Sequence, residues 1–125
     1  MVAIGESYFR RRLLGWWGEH RAGVHLRSVG HRVIDTNIDL AVGELDLVTI
    51  ASKCLVFVEV KTRHISSTHE FPIEAAVSSE KLHRMLRLSQ QYLDRTPPHH
   101  RRLLPKRTRF DLLFVGYRWR GMGMV

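Results

Sequence analysis

The chain has 125 residues, 44% of them hydrophobic, with 20 Lys and Arg against 12 Asp and Glu, so it fits one domain with a real core and a net charge of +8. That excess of base, mostly arginine, fits a nucleic-acid partner and equally a basic surface that serves only solubility. The single cysteine excludes an internal disulfide framework and a cysteine-rich zinc site, no apolar run approaches the roughly 18 residues of a membrane span, and there is no Walker-type or dinucleotide glycine loop.

A helix is predicted over residues 5–29. Phe9, Leu13, Trp16 and Trp17 recur at helical spacing, with Arg10, Arg11 and Arg12 on other faces. Gly15 and Gly18 weaken it by about 1 kcal/mol each; they are read as a point of close approach that puts Glu19 beside another element. Trp16 and Trp17 have the chemistry to stack on bases, but aromatics at this spacing are more often core, and at least one of the two is assigned there. Gly30 stops the helix. Strands follow over Arg32–Ile38, 44–50 and 54–61, the last two joined by the turn Ala51-Ser52-Lys53-Cys54. Residues 62–70 read as a polar loop carrying Arg63, His64 and His69. Ser78 or Ser79 caps a second helix that runs to about Asp94. Its buried face is expected to be Leu82, Met85, Leu86, Ser89, Tyr92 and Leu93, with His83, Arg84 and Arg87 in solvent. Pro97-Pro98 ends it. His99-His100-Arg101-Arg102 and Lys106-Arg107 form a basic loop, and Arg109 to Tyr117 is a last strand with Leu112, Leu113, Phe114 and Val115 as its core. Residues 118–125 read as a frayed tail. The order α-β-β-β-α-β predicts one α/β domain over 1–125, a mixed central sheet flanked by helices.

The chemistry concentrates on the hairpin. Glu59 and Lys61 interrupt Val56-Phe57-Val58-Glu59-Val60-Lys61 and share one face, as Glu44 and Asp46 do on the preceding strand. Antiparallel pairing brings Asp46 near Glu59 and Lys61. Two carboxylates and an ammonium suit a hard cation, Mg²⁺ or Mn²⁺. The lysine is placed to orient or help deprotonate an attacking water. The bland alternative is a half-exposed strand with Glu59, Lys61 and Arg63 on its outer face. Glu44 is read as a surface or turn residue, at most one that supports the ligands from behind. Arg63 and Lys81 are candidate phosphate contacts. The eight histidines form no zinc pattern, since His20 and His25 are five apart.

Several blocks carry a resemblance that covers nearly the whole chain: Gly15-Trp16-Trp17-Gly18-Glu19 with Ala22, Asn37, Gly43-Glu44-Leu45-Asp46-Leu47, Phe57-Val58-Glu59-Val60-Lys61-Thr62-Arg63, then Pro72, Glu74, Ala75, Lys81 and Arg109-Phe110-Asp111. With them the chain resembles the YraN family of small bacterial proteins, assigned to the restriction-endonuclease-like fold of PD-(D/E)XK nucleases and similar to Holliday-junction resolvases. The resemblance implies that Asp46 and Glu59 ligate a metal, that Lys61 is the catalytic lysine, and that Glu19 completes the acidic set as a metal or water ligand. The spacing is D-x12-E-x-K, with Leu45 where the usual motif has proline. The implied activity is metal-dependent hydrolysis of phosphodiesters in DNA, ahead of RNA, with branched or junction DNA as the implied substrate, a 5′-phosphate and 3′-hydroxyl as products, and a homodimer by analogy. With no signal-peptide pattern in the first six residues and one cysteine, the expected location is the cytoplasm, with no membrane partner. The competing reading is a non-catalytic module on the same fold that binds nucleic acid or a DNA-processing partner.

Overall fold

In the computed structural model, residues 2–65, 78–120 and 123–124 are described, with side chains over 10–65 and 78–118. Helix α1 (Val2–Ser28) leads into strands β1 (Arg32–Leu40), β2 (Gly43–Ala51) and β3 (Cys54–His64). Helix α2 (Ser79–Arg95) and a single turn α3 (Pro98–Arg101) precede β4 (Arg107–Tyr117), and two short strands, β5 (Trp119–Arg120) and β6 (Gly123–Met124), pair with each other. The main sheet has the order β1-β2-β3-β4, antiparallel except for the parallel pair β3/β4. This is the mixed, helix-flanked sheet of a restriction-endonuclease-like fold.

Local chemistry sets the joints. Gly30 has φ +95, and the N–H groups of His31 and Gly30 close on the carbonyls of Leu26 and Arg27, the paired bonds of a Schellman stop for α1. Ser52 and Lys53 both lie in the left-handed region (φ 49 and 62) between the paired residues Ala51 and Cys54. That is the two-residue turn whose twist matches antiparallel strands. Ser78 caps α2 by accepting the Lys81 N–H at 3.1 Å. At the other end Arg101 donates to the carbonyls of Asp94 and Thr96, so this member of the basic loop serves the helix terminus.

The sheet is buried on both faces, which explains the near-continuous apolar run of β3. On the α2 side Ile38, Leu45, Val48, Leu55 and Phe57 meet Met85, Leu88 and Tyr92. On the α1 side Leu47, Ala51, Val56 and Val58 meet Ala22 and Leu26. No helix among the described residues is long and apolar enough to cross a membrane.

Four expectations need correction. Leu82 and Leu86 are not buried but 49% and 45% exposed, and Leu88 takes their place. The buried arc is Met85, Leu88, Ser89 and Tyr92, and Leu86 sits about 100° around from Met85. Ser89 is tolerated in that arc because its hydroxyl donates to the Leu86 carbonyl at 2.7 Å. On α1 the sequence's large apolar residues are not the packing stripe. Leu13 and Trp16 are exposed, and the contact runs through Gly18, Ala22 and Leu26, four apart. Phe9 lies outside the described side chains. Leu112 to Val115 are only half-buried, because β4 is an edge strand paired with β3 alone. Lastly, 62–64 are strand rather than loop, paired with β4 as far as His64↔Tyr117. Residues 66–70, with His69, and the matched Pro72, Glu74 and Ala75 lie outside the described residues.

Candidate metal centre

β2 pairs with β3 only from Ala51↔Cys54 to Leu47↔Val58. Beyond that point the alternation of β2 breaks. Leu45 packs into the α2-side core and Leu47 into the α1-side core although they are two apart. Asp46 lies at the break, and its Oδ2 accepts the backbone N–H of Val60 at 2.8 Å, in place of a strand partner. Asn37 lies opposite Asp46, between the pairs Thr36↔Leu47 and Ile38↔Leu45, with φ +50. Asparagine tolerates that backbone better than most residues.

Glu19 reaches this point from α1. Gly18 makes the approach possible: a methyl there would overlap Thr62 Oγ1 and stand 3.1 Å from Thr62 Cβ. The sequence reading of a glycine contact beside Glu19 therefore holds, with β3 as the neighbour; Gly15 faces open space. Gly18→Ala is expected to cost about 1–3 kcal/mol by overpacking and to weaken divalent-cation binding by displacing Glu19. Calorimetric titration with Mn²⁺ beside thermal melting checks both, and an unchanged Mn²⁺ affinity would disconnect this contact from the site.

Carboxylate oxygens of Glu19, Glu44 and Asp46 all lie within 4.8 Å of one another. Among the described residues no Lys, Arg or His is ion-paired to any of the three. Glu19 Oε2 is buried and accepts no hydrogen bond. Burial, then the neighbouring charges of Asp46 and Glu44, push the Glu19 carboxyl up to about 7. Asp46 is also raised, by burial above all and by Glu59 and Glu44, against the Val60 N–H that favours its charged form. Unpaired, closely spaced oxygen donors with an orphaned buried oxygen fit a hard cation such as Mg²⁺ or Mn²⁺.

Glu59 and Lys61 stand apart from that trio. Glu59 turns toward α2, where its carboxylate meets three cations: Lys61 Nζ at 3.1 Å, Arg84 Nη2 at 3.1 Å and Lys81 Nζ at 3.4 Å. Its Oε2 is buried and accepts no hydrogen bond, so Lys81 is an ionic partner only. The structure thus brings together Asp46 with Glu19, and Glu59 with Lys61, and adds Glu44 to the first group. Arg84, expected in solvent, holds Glu59. Arg63 is exposed, and its Nη1 donates to the Thr62 carbonyl. Glu44 shared a face with Asp46 in the sequence, which was the available signal for it; Asn37 had no chemical signal beyond its place in the matched blocks.

The model of the uncharacterised protein family UPF0102 matches residues 18–115, a span that holds every one of these side chains. The chain belongs to this family. It is the family, also called YraN, that the sequence blocks resemble. A UPF0102 protein of Syntrophotalea carbinolica is 42% identical over 107 residues, 86% of this chain and 81% of that protein. A Frankia casuarinae relative is 41% identical over 102 residues, covering 82% and 80% of the two chains. One from Geobacter sulfurreducens is 32% identical over 114 residues, covering 91% and 84%.

The raised Glu19 gives this UPF0102 protein a pH signature. A carboxyl with its folded pKa near 7 and an ordinary value of 4.5 holds a proton in the folded state that the unfolded chain has released. Its contribution to stability is full below about pH 4.5 and is lost as pH rises through 7. Melting in EDTA should therefore show a falling midpoint across that window, flattened in Glu19→Gln. Metal binding, which needs the ionised carboxylate, should strengthen over the same window. Equal slopes in wild type and Glu19→Gln would contradict the assignment.

Proposed function

We propose that this UPF0102 protein is a metal-dependent endonuclease that hydrolyses phosphodiester bonds in DNA. The observation that carries the reading is the gathering of Glu19, Glu44 and Asp46 where the hairpin opens, with the Glu59–Lys61 pair on the adjoining strand. The net charge of +8 and the resemblance to PD-(D/E)XK nucleases support a nucleic-acid substrate, with branched DNA the implied form.

Asp46, Glu19 and Glu44 would hold the cation, and Glu59, close enough to raise Asp46, is the fourth carboxylate of the site. When bound, a cation of this class polarises a phosphoryl oxygen and lowers the pKa of water. The Val60 N–H fixes Asp46, so its free oxygen is aimed before substrate arrives. Glu59 holds the Lys61 ammonium at 3.1 Å, which positions that ammonium to orient the attacking water and offset charge growing on the phosphoryl oxygens. Lys81 and Arg84 balance Glu59, so Lys61 need not be neutralised by it. Arg63, exposed at the end of β3, is the phosphate contact on the approach.

The test is a cleavage assay on duplex, single-stranded, flap and four-way DNA with Mg²⁺, Mn²⁺ or EDTA, comparing wild type with Lys61→Ala. Metal-dependent cutting that is lost in the variant is the expected result. Binding without cutting under every condition would favour instead a module that holds nucleic acid for another protein.

A further inference from the structure

Trp16 is a large indole left 53% exposed on the side of α1 that carries Glu19 toward the sheet. Its neighbour Trp17 behaves differently: it is half-buried and meets the Tyr117 ring edge-on at 6.3 Å. An exposed tryptophan is the informative departure, since burying it would have been favourable. It also lines a cleft of about 200 Å³ between α1 and β1, together with Glu19, His20, Arg27, Thr36 and Asn37. The Arg12 guanidinium carbon lies 5.2 Å from the Trp16 ring centre, which restrains the indole and adds positive charge beside it.

From these features, and resting on the nuclease reading above, we propose that the cleft takes one unpaired nucleobase of a single-stranded nucleic acid, stacked on Trp16. The size argues for one flat ring: about 200 Å³ is below the roughly 300–1,000 Å³ of clefts that take a whole small-molecule ligand. The lining argues for a base. The Asn37 amide, the Thr36 hydroxyl and the His20 imidazole offer donors and acceptors to a ring edge, Arg27 offers charge to a phosphate, and Trp16 offers a face. A base inside a duplex has both faces covered by its neighbours, so only an unpaired one can use that indole. Because Glu19 lines the cleft and also belongs to the carboxylate trio, a base seated there brings its own phosphate to the proposed metal centre. The cleft thereby selects for single-stranded or locally opened substrate.

The test measures binding in EDTA, where no strand is cut, using fluorescence anisotropy of a labelled single-stranded oligonucleotide and of the same sequence as a duplex. A single-stranded probe with one 2-aminopurine reports stacking directly by quenching. Trp16→Ala should weaken single-strand binding about tenfold or more, as loss of one base–aromatic stack does, abolish the quenching, and leave duplex binding nearly unchanged. Trp16→Tyr should restore both, and circular dichroism shows that the variants fold. Equal single-strand affinity in wild type and Trp16→Ala, or parallel loss for single strand and duplex, overturns the proposal. The two readings fail separately. If Trp16→Ala cuts DNA as well as the wild type does, only the base cleft is lost; if the wild type stacks a base on Trp16 but never cuts, only the nuclease is lost.

Discussion

Asp46→Asn is expected to reduce metal-dependent cleavage a hundredfold or more, on the order of the several kcal/mol that a hard cation contributes to the transition state. The same substitution should leave the protein folded. An asparagine carbonyl can still accept the Val60 N–H that Asp46 accepts at 2.8 Å, so the opening of the hairpin keeps its geometry. In EDTA the variant should melt higher than wild type by roughly 3 °C, because one of three mutually repelling carboxylates is neutralised. Asp46→Ala separates the two roles: it also removes the charge, but it orphans the Val60 N–H at a cost of about 1–3 kcal/mol. An Asn variant that cuts at the wild-type rate, or that melts as low as the Ala variant, would dissociate Asp46 from the role given to it.

The second large effect is structural. Phe57 is fully buried two residues before Glu59, edge-on to Tyr92 of α2 at 5.7 Å and tilted against Phe110 of β4 at 6.0 Å. Phe57→Ala removes the ring that joins β3 to both neighbours and should cost about 3–5 kcal/mol. A domain of this size holds only about 5–15 kcal/mol of stability in total. Urea denaturation of wild type and variant gives the difference directly. The loss should reach the site as well, since α2 carries Lys81 and Arg84, the residues that hold Glu59. A loss under about 1 kcal/mol, well below the usual cost of deleting a buried ring, would mean that α2 is anchored elsewhere.

What the sequence revealed and what it hid follow from physical causes. The hairpin was legible because two apolar runs flank a short turn, and antiparallel pairing of such runs brings Asp46 near Glu59; the register itself is set by the left-handed pair Ser52 and Lys53, which no hydrophobic pattern specifies. Gly18 was legible because glycine inside a helix is costly and calls for a neighbour such as Thr62. The order of the two long helices and four main strands followed from periodicity together with the punctuation at Gly30, Ser78 and Pro97-Pro98. Burial on α1 was misread because the helix packs through Gly18 and Ala22, and small residues leave no hydrophobic signature while Leu13 and Trp16 do. Leu82 and Leu86 misled for the converse reason: they are apolar but lie off the arc that meets the sheet. Glu44 was legible as a same-face neighbour of Asp46, but the break that sends Leu45 and Leu47 to opposite cores is a backbone irregularity that no pattern of hydrophobicity announces. The three cations around Glu59 come from two elements brought together only by the crossover from β3 through α2.

The most direct measurement is a crystal structure with Mn²⁺ and its anomalous difference map. A peak is expected at the opening of the hairpin, within ligand distance of Asp46 and Glu19, and no such peak in Asp46→Asn crystals grown alongside. A map with no peak at Asp46, or with manganese bound only to carboxylates outside Glu19, Glu44, Asp46 and Glu59, would contradict the proposed metal site.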